Sequence, residues 1–192
     1  LDTAHSAALQ LGRWEESLEL NAKILASVRA RGGPIPLQVE IAFHDYGPLR
    51  QLGRAEEARE LVLESQDVFE TSRNYDALSG AFRALATLED EQGWPEEALR
   101  FEARALRYEY AKEAPDRWTI ASCHSYVGDY FRKVGNDARS AIAHRLAAEL
   151  IWFATDLKQL DDQIPSLGGW LWSFGDNWPI PESFDDLCQI VD

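Results

Sequence analysis

The ten residues Leu52-Gly53-Arg54-Ala55-Glu56-Glu57-Ala58-Arg59-Glu60-Leu61 decide how the whole chain is read. Gly53 closes one helical stretch, because glycine takes a left-handed backbone without steric penalty and so terminates helices readily. Glu56 and Glu57 then occupy what would be the first turn of the next helix, where carboxylates are stabilised by the positive end of the helix dipole. Ala58 opens an apolar stripe continued by Leu61, Val62 and Val68, at the spacing of one helix face. The same design returns in both directions. Gly12 precedes Arg-Trp-Glu-Glu-Ser, Gly93 precedes Trp-Pro-Glu-Glu-Ala, Gly135 precedes Asn-Asp-Ala-Arg-Ser and Gly175 precedes Asp-Asn-Trp-Pro-Ile. These five glycines lie 41, 40, 42 and 40 residues apart, by subtraction of their positions. A constant period in this range marks stacked helix pairs, since one pair cannot bury its own apolar face.

Apolar positions recur at helical spacing along the chain and strand-like alternation is scarce, so the expected class is all-α. A truncated first helix closes through Ala7, Ala8 and Leu11. A helix of about 17 residues follows from Trp14, broken by the glycines and prolines of Arg31 to Pro36. Helix resumes near Leu37 and runs to Leu52, with a kink or break expected at Pro48. Further helices are expected over Arg54 to Phe69, Asp76 to Gln92, Pro95 to Ala111, Trp118 to Val134 and Ala138 to Thr155. Trp14 and Trp94, just after turn glycines, are expected to plug the joints between helices. A fifth, shorter and less regular pair is expected over Leu167 to Phe174 and Pro181 to Val191. The organisation is therefore four helix pairs over 1–156, the first truncated, and a fifth, Trp- and Pro-rich pair over 157–192. The absence of methionine, and an array that stops inside a helix at Asp192, suggest a segment of a longer chain.

Net charge is −14, from 33 acidic and 19 basic residues. Such a surface repels phosphate backbones, so nucleic acid is not an expected direct partner. The last basic residue is Lys158, and the acidic tail beyond it reads either as a solvated face or as a site for a basic partner. No apolar run approaches the roughly 20 residues of a membrane span, and the start lacks signal-peptide character. The two cysteines, Cys123 and Cys188, form no CxxC pair, and four scattered histidines complete no metal spacing. Low cysteine use favours a reducing, cytoplasmic setting. No catalytic residue, cofactor or metal is expected. Cys123 and His124 are adjacent on a helix and point about 100° apart, as do His44 and Asp45, so neither pair brings reacting atoms together; Cys123 reads as a buried structural cysteine. His5 and His144 read as lone histidines. There is no dinucleotide fingerprint, P-loop or nucleophile elbow.

Two further stretches carry a resemblance. Val127-Gly128-Asp129-Tyr130-Phe131-Arg132-Lys133-Val134-Gly135 and Leu167-Gly168-Gly169-Trp170-Leu171-Trp172-Ser173-Phe174-Gly175 each hold an apolar-Gly dipeptide, an aromatic or apolar residue and a closing glycine. Five residues after the turn glycines stand the small residues Ser17, Ala58, Ala98 and Ser140, which let two helices approach closely. This pattern resembles the tetratricopeptide repeat, in a long-period variant similar to the kinesin light chain type. Departures are the period, 40 to 42 residues here against the usual 34, His5 and Tyr46 where a small residue is usual, and Ile180 in the fifth unit. The region from Cys123 to Leu150 is also similar to repeat arrays attached to bacterial caspase-like or NTPase signalling proteins.

The resemblance implies a right-handed solenoid of antiparallel helix pairs, whose concave face is lined by the first helix of each pair and takes a protein or peptide. The groove side chains it implies are Phe43 and Arg50, then Arg83, Thr87 and Asp90, then Ser125, Asp129, Arg132 and Lys133, and finally Trp172. Arg50, Arg83, Arg132 and Lys133 would form a basic ladder able to clamp the carboxylates of an acidic peptide or a peptide C-terminus. The alternative is ordinary surface pairing with Asp90, Glu91 and Asp129. Trp170, Trp172 and Trp178 read either as packing against the last full repeat or as an aromatic contact patch. The expected function is a non-catalytic binding scaffold. Two other readings stay open: a peptide-sensing regulatory domain of a larger signalling protein, and a structural or oligomerising segment of a larger enzyme. The oligomeric state is not legible.

Overall fold

Among the described residues, which are 2–135 and 137–152 of this computed structural model, the apolar stripes become helices and no strand occurs. In chain order they are α1 (Asp2–Gln10), α2 (Trp14–Ala30), α3 (Ile35–Phe43), α4 (Tyr46–Gln51), α5 (Ala55–Ser72), α6 (Tyr75–Glu91), α7 (Pro95–Ala111), α8 (Arg117–Val134) and α9 (Ala138–Trp152). The expected all-α class is therefore what forms. The end of α9 near Thr155, the fifth pair around Gly175, Trp170, Trp172, Trp178 and Cys188 lie outside the described residues.

Most helix limits follow from short-range chemistry. At Gly12, Gly53 and Gly93 the backbone is left-handed, with φ of 68°, 74° and 82°. Each joint carries the same two hydrogen bonds. Arg13 N–H donates to Ala8 O and Gly12 N–H to Leu9 O; Arg54 to Leu49 and Gly53 to Arg50; Trp94 to Glu89 and Gly93 to Asp90. This is the paired bonding that satisfies the last carbonyls of a helix. At Gly135 (φ 73°) its N–H donates to Phe131 O at 3.0 Å. Asp116 caps α8, accepting from the Thr119 backbone at 3.0 Å, and Asp137 caps α9, accepting from the Ser140 backbone at 2.9 Å.

The segment around Pro48 corrects the expectation. The helix breaks at His44–Asp45, upstream of the proline, and Pro48 lies in the first turn of α4. A proline ring collides with the carbonyl four residues earlier, here that of His44, so regular bonding stops there. Pro48 itself loses nothing, because first-turn N–H groups have no partner inside the helix. For the same reason α3 begins at Ile35, before the expected Leu37, with Pro36 in its first turn.

One joint breaks the glycine rule. Arg73 ends α5 in the left-handed region (φ 53°), with Asn74 N–H on Phe69 O at 3.0 Å. A side chain there is strained and glycine is not. Arg73→Gly is expected to stabilise the protein by about 0.5–1 kcal/mol, read as a raised midpoint in chemical denaturation. An unchanged or lowered midpoint would refute the strain.

The chain divides into two compact units, the first ending at Leu88 and the second starting at Glu89, a boundary that falls within the sequence of α6. In the first unit α2 packs on α1, α3 and α4, and α5 packs on α3 and α4. Its core contains Val62, Phe69, Leu78, Phe82 and Leu85, with Leu49, Ala58 and Leu88 forming a cluster against Leu18, Tyr46 and Leu61. In the expected α5 stripe Ala58 and Val62 are fully buried, whereas Leu61 and Val68 are half-buried and Phe69 takes the deep position. In the second unit α8 packs between α7 and α9. Its core holds Ala98, Ala105, Ala121, Cys123, Val127, Tyr130, Ala141 and Ile142. Cys123 is buried, as expected. Trp94 is not a plug: it is 54% exposed. Trp14 is half-buried and its ring lies against Gly12.

Candidate functional site

The residues implied as a groove divide between the two units. In the first, Phe43 ends α3 half-buried, stacked on Tyr46 at 6.2 Å and edge-on to Phe69 at 5.6 Å. It is thus a packing residue at the core's rim. Arg50 on α4 and Arg83 on α6 are both half-buried. The Thr87 hydroxyl donates to the Arg83 carbonyl at 3.0 Å, within its own helix.

The second unit holds the closer-knit group. Lys133 Nζ, at the end of α8, donates to both oxygens of Asp90 at 2.5 and 2.6 Å and stands 5.4 Å from the centre of the Tyr130 ring. Lys133 and Asp90, 43 residues apart, are therefore brought together, and the ammonium charge is already matched by a carboxylate. Ser125 is buried and accepts from Arg145 Nη1 at 2.6 Å, while Arg145 Nη2 pairs with Glu149 at 2.9 Å. Burial raises the Glu149 carboxyl above its ordinary value, and Arg145 opposes that rise. Asp129 and Arg132 are half-buried on α8. An open cleft of about 340 Å³ borders this group, lined by Trp94, Pro95, Glu96, Glu97 and Lys133 among others. Trp172 lies outside the described residues.

Two clusters escaped the sequence reading. In the first unit, Asn21 of α2 is 1% exposed and reaches the α3–α4 break. Its Nδ2 donates to Ile41 O at 2.7 Å and to Asp45 Oδ1 at 2.9 Å. Burial lifts the Asp45 carboxyl above its ordinary value, against the pull of Asn21 and of His5 and His44. His5 and His44 stack at 6.2 Å.

In the second unit, Tyr110, His124 and His144 form a chain across α7, α8 and α9. The Tyr110 hydroxyl is 3.0 Å from His124 Nε2, and His124 Nδ1 is 2.8 Å from His144 Nδ1. Burial first, and then the neighbouring imidazole, lowers the His124 pKa to about 4, and burial lowers that of His144. One signal was available in the sequence. Ala121, His124 and Gly128 share a helix face, and a face that carries a glycine is where a neighbouring helix comes close.

Among the described residues no group of three or more His, Cys, Asp or Glu side chains converges as metal ligands. Nor is any described helix long and apolar enough to cross a membrane. No family model matches the chain, and no curated protein matches it.

Proposed function

We propose that the chain is a tetratricopeptide-like solenoid of antiparallel helix pairs that binds a protein or peptide on the face of its first helices, as a cytoplasmic scaffold without catalysis. The repeated joint carries this reading. At Gly12, Gly53 and Gly93 the same left-handed turn and the same hydrogen bonds recur. Five residues after each, Ser17, Ala58 and Ala98 are all 0% exposed. A small buried residue at a constant place after a constant turn is what repeated close helix packing requires. In this reading the basic side chains, Arg50 and Arg83 in the first unit and Arg132 and Lys133 in the second, are the candidates to meet ligand carboxylates, Lys133 exchanging its contact with Asp90 for one with the ligand.

Selection from a peptide library rich in acidic C-termini, followed by fluorescence anisotropy, tests it. Arg83→Glu combined with Arg132→Glu is expected to weaken a selected peptide at least tenfold, or about 1.4 kcal/mol, with helicity unchanged. A library that yields no binder counts against the binding reading. A binder held equally well by the double variant counts against the arginines.

A further inference from the structure

The chain of Tyr110, His124 and His144 has a restricted set of proton arrangements. A neutral imidazole offers one N–H and one lone pair. With His124 Nδ1 facing His144 Nδ1 at 2.8 Å, one of the two must donate and the other accept. If Tyr110 donates to His124 Nε2, then His124 donates through Nδ1 to His144 Nδ1, and both contacts of the chain are matched. One extra proton is taken by reversing the sense. His144 then donates, and His124 turns its Nε2–H toward the Tyr110 oxygen. A second extra proton has no such solution: two N–H groups face each other with no acceptor between them. Two cations then stand with ring centres 5.0 Å apart. Phe131, stacked on His144 at 5.7 Å, restrains that ring from turning away.

We infer that His124 and His144 form an acid-released latch, which holds α9 on α8 while the imidazoles are neutral and frees α9 when both are charged. The inference stands apart from the peptide-binding reading. It bears on the same element, however, since Ser125, Asp129 and Arg132 lie on α8 and the Arg145–Ser125 bond crosses the same seam.

Among the described residues, the groups that meet the pair give no compensating charge. From α7 it meets Tyr110; on α9, Arg145 is turned to Ser125 and Glu149. No described carboxylate raises either imidazole's pKa. Both pKa values are depressed below the ordinary 6.5, so the unfolded chain binds protons first. The latch is complete above about pH 6.5 and is lost as pH falls toward about 4. Glu149 has the opposite sign, because its raised pKa makes acidification favour the folded form. The Asp137 cap of α9 has a carboxyl held below its ordinary 3.8 by Ser140, so it fails only in stronger acid. Loss between these limits therefore belongs to the histidines.

Hydrogen exchange of the whole chain near pH 7.5 and near pH 4.5, corrected for intrinsic rates, reads the release. Protection of α9 amides is expected to fall at least tenfold more than that of α5 amides. The imidazole proton resonances should titrate below 6.5, with apparent values that belong to the pair. His144→Asn keeps an acceptor near the position of Nδ1 but cannot be protonated, so its α9 should stay protected in acid. Equal loss in α5 and α9, or imidazoles titrating at 6.5 or above, overturns the latch. Should His144→Asn not fold, the wild-type exchange and titration decide alone.

Discussion

Replacing Gly128 by valine is expected to destabilise the second unit by about 3 kcal/mol or more. A Cβ on Gly128 would stand 2.9 Å from Ala141 O and 3.2 Å from Arg145 N, with His144 Cβ at 3.6 Å. The first two are backbone atoms of α9, which no rotamer change can move aside. Two packed helices must then separate, and the loss of dispersion contacts along the seam adds to the clash. Alanine should cost less, about 1–2 kcal/mol, because its better helix propensity offsets part of the strain. Gly47→Ala is the control. An added Cβ there meets nothing within 4 Å, so its effect should be neutral or slightly stabilising. Urea denaturation followed by circular dichroism makes the comparison. If Gly128→Val unfolds at the wild-type midpoint, α8 and α9 are not in the close contact described. The same variant should also remove the His124–His144 bond, since that bond crosses the widened seam one turn away.

Asn21→Ala carries the second large effect, an expected loss of about 2–4 kcal/mol. The amide is almost wholly buried and spans a real discontinuity in the chain. It donates to Ile41 O at the end of α3 and to Asp45 Oδ1 just before α4. Removing it withdraws a hydrogen bond that stabilises the ionised form of a half-buried carboxylate. The cost is the desolvation of groups left unmatched, which exceeds the net worth of a bond formed in water. Asp45 should respond by titrating higher still, so the variant should regain part of its stability on mild acidification. Asp45→Ala alone should be milder, and the double variant should cost less than the two single losses added together. Additive losses would mean that Asn21 and Asp45 do not act as a pair. A loss within 0.5 kcal/mol for Asn21→Ala would mean that the α3–α4 break is held by something else.

The groove residues were legible only as far as the resemblance carried them. Asp90 is indeed the partner of a basic side chain, Lys133, as the surface-pairing alternative allowed. Phe43, named for a groove, packs against Phe69, since an aromatic ring at a helix end is drawn to the nearest apolar surface. Ser125 is buried under Arg145, a contact 20 residues away that nothing local announces. His144 was read as lone because its partner stands on another helix. Trp94 was read as a plug because it follows a turn glycine, yet the joint bonds through the backbone alone and the ring is left outside.

The sequence by itself determined the helical class and the place of four turns, at Gly12, Gly53, Gly93 and Gly135. Each of these depends on residues within about five positions of one another, through backbone dihedrals and hydrogen bonds that close locally. Only the tertiary structure decided that Asn21 bridges the break between α3 and α4, that Gly128 admits the backbone of α9, and that two histidines face each other. Those outcomes depend on how one helix is rotated and shifted against another. That register is chosen by the packing of many side chains at once, and no single stretch of sequence contains it.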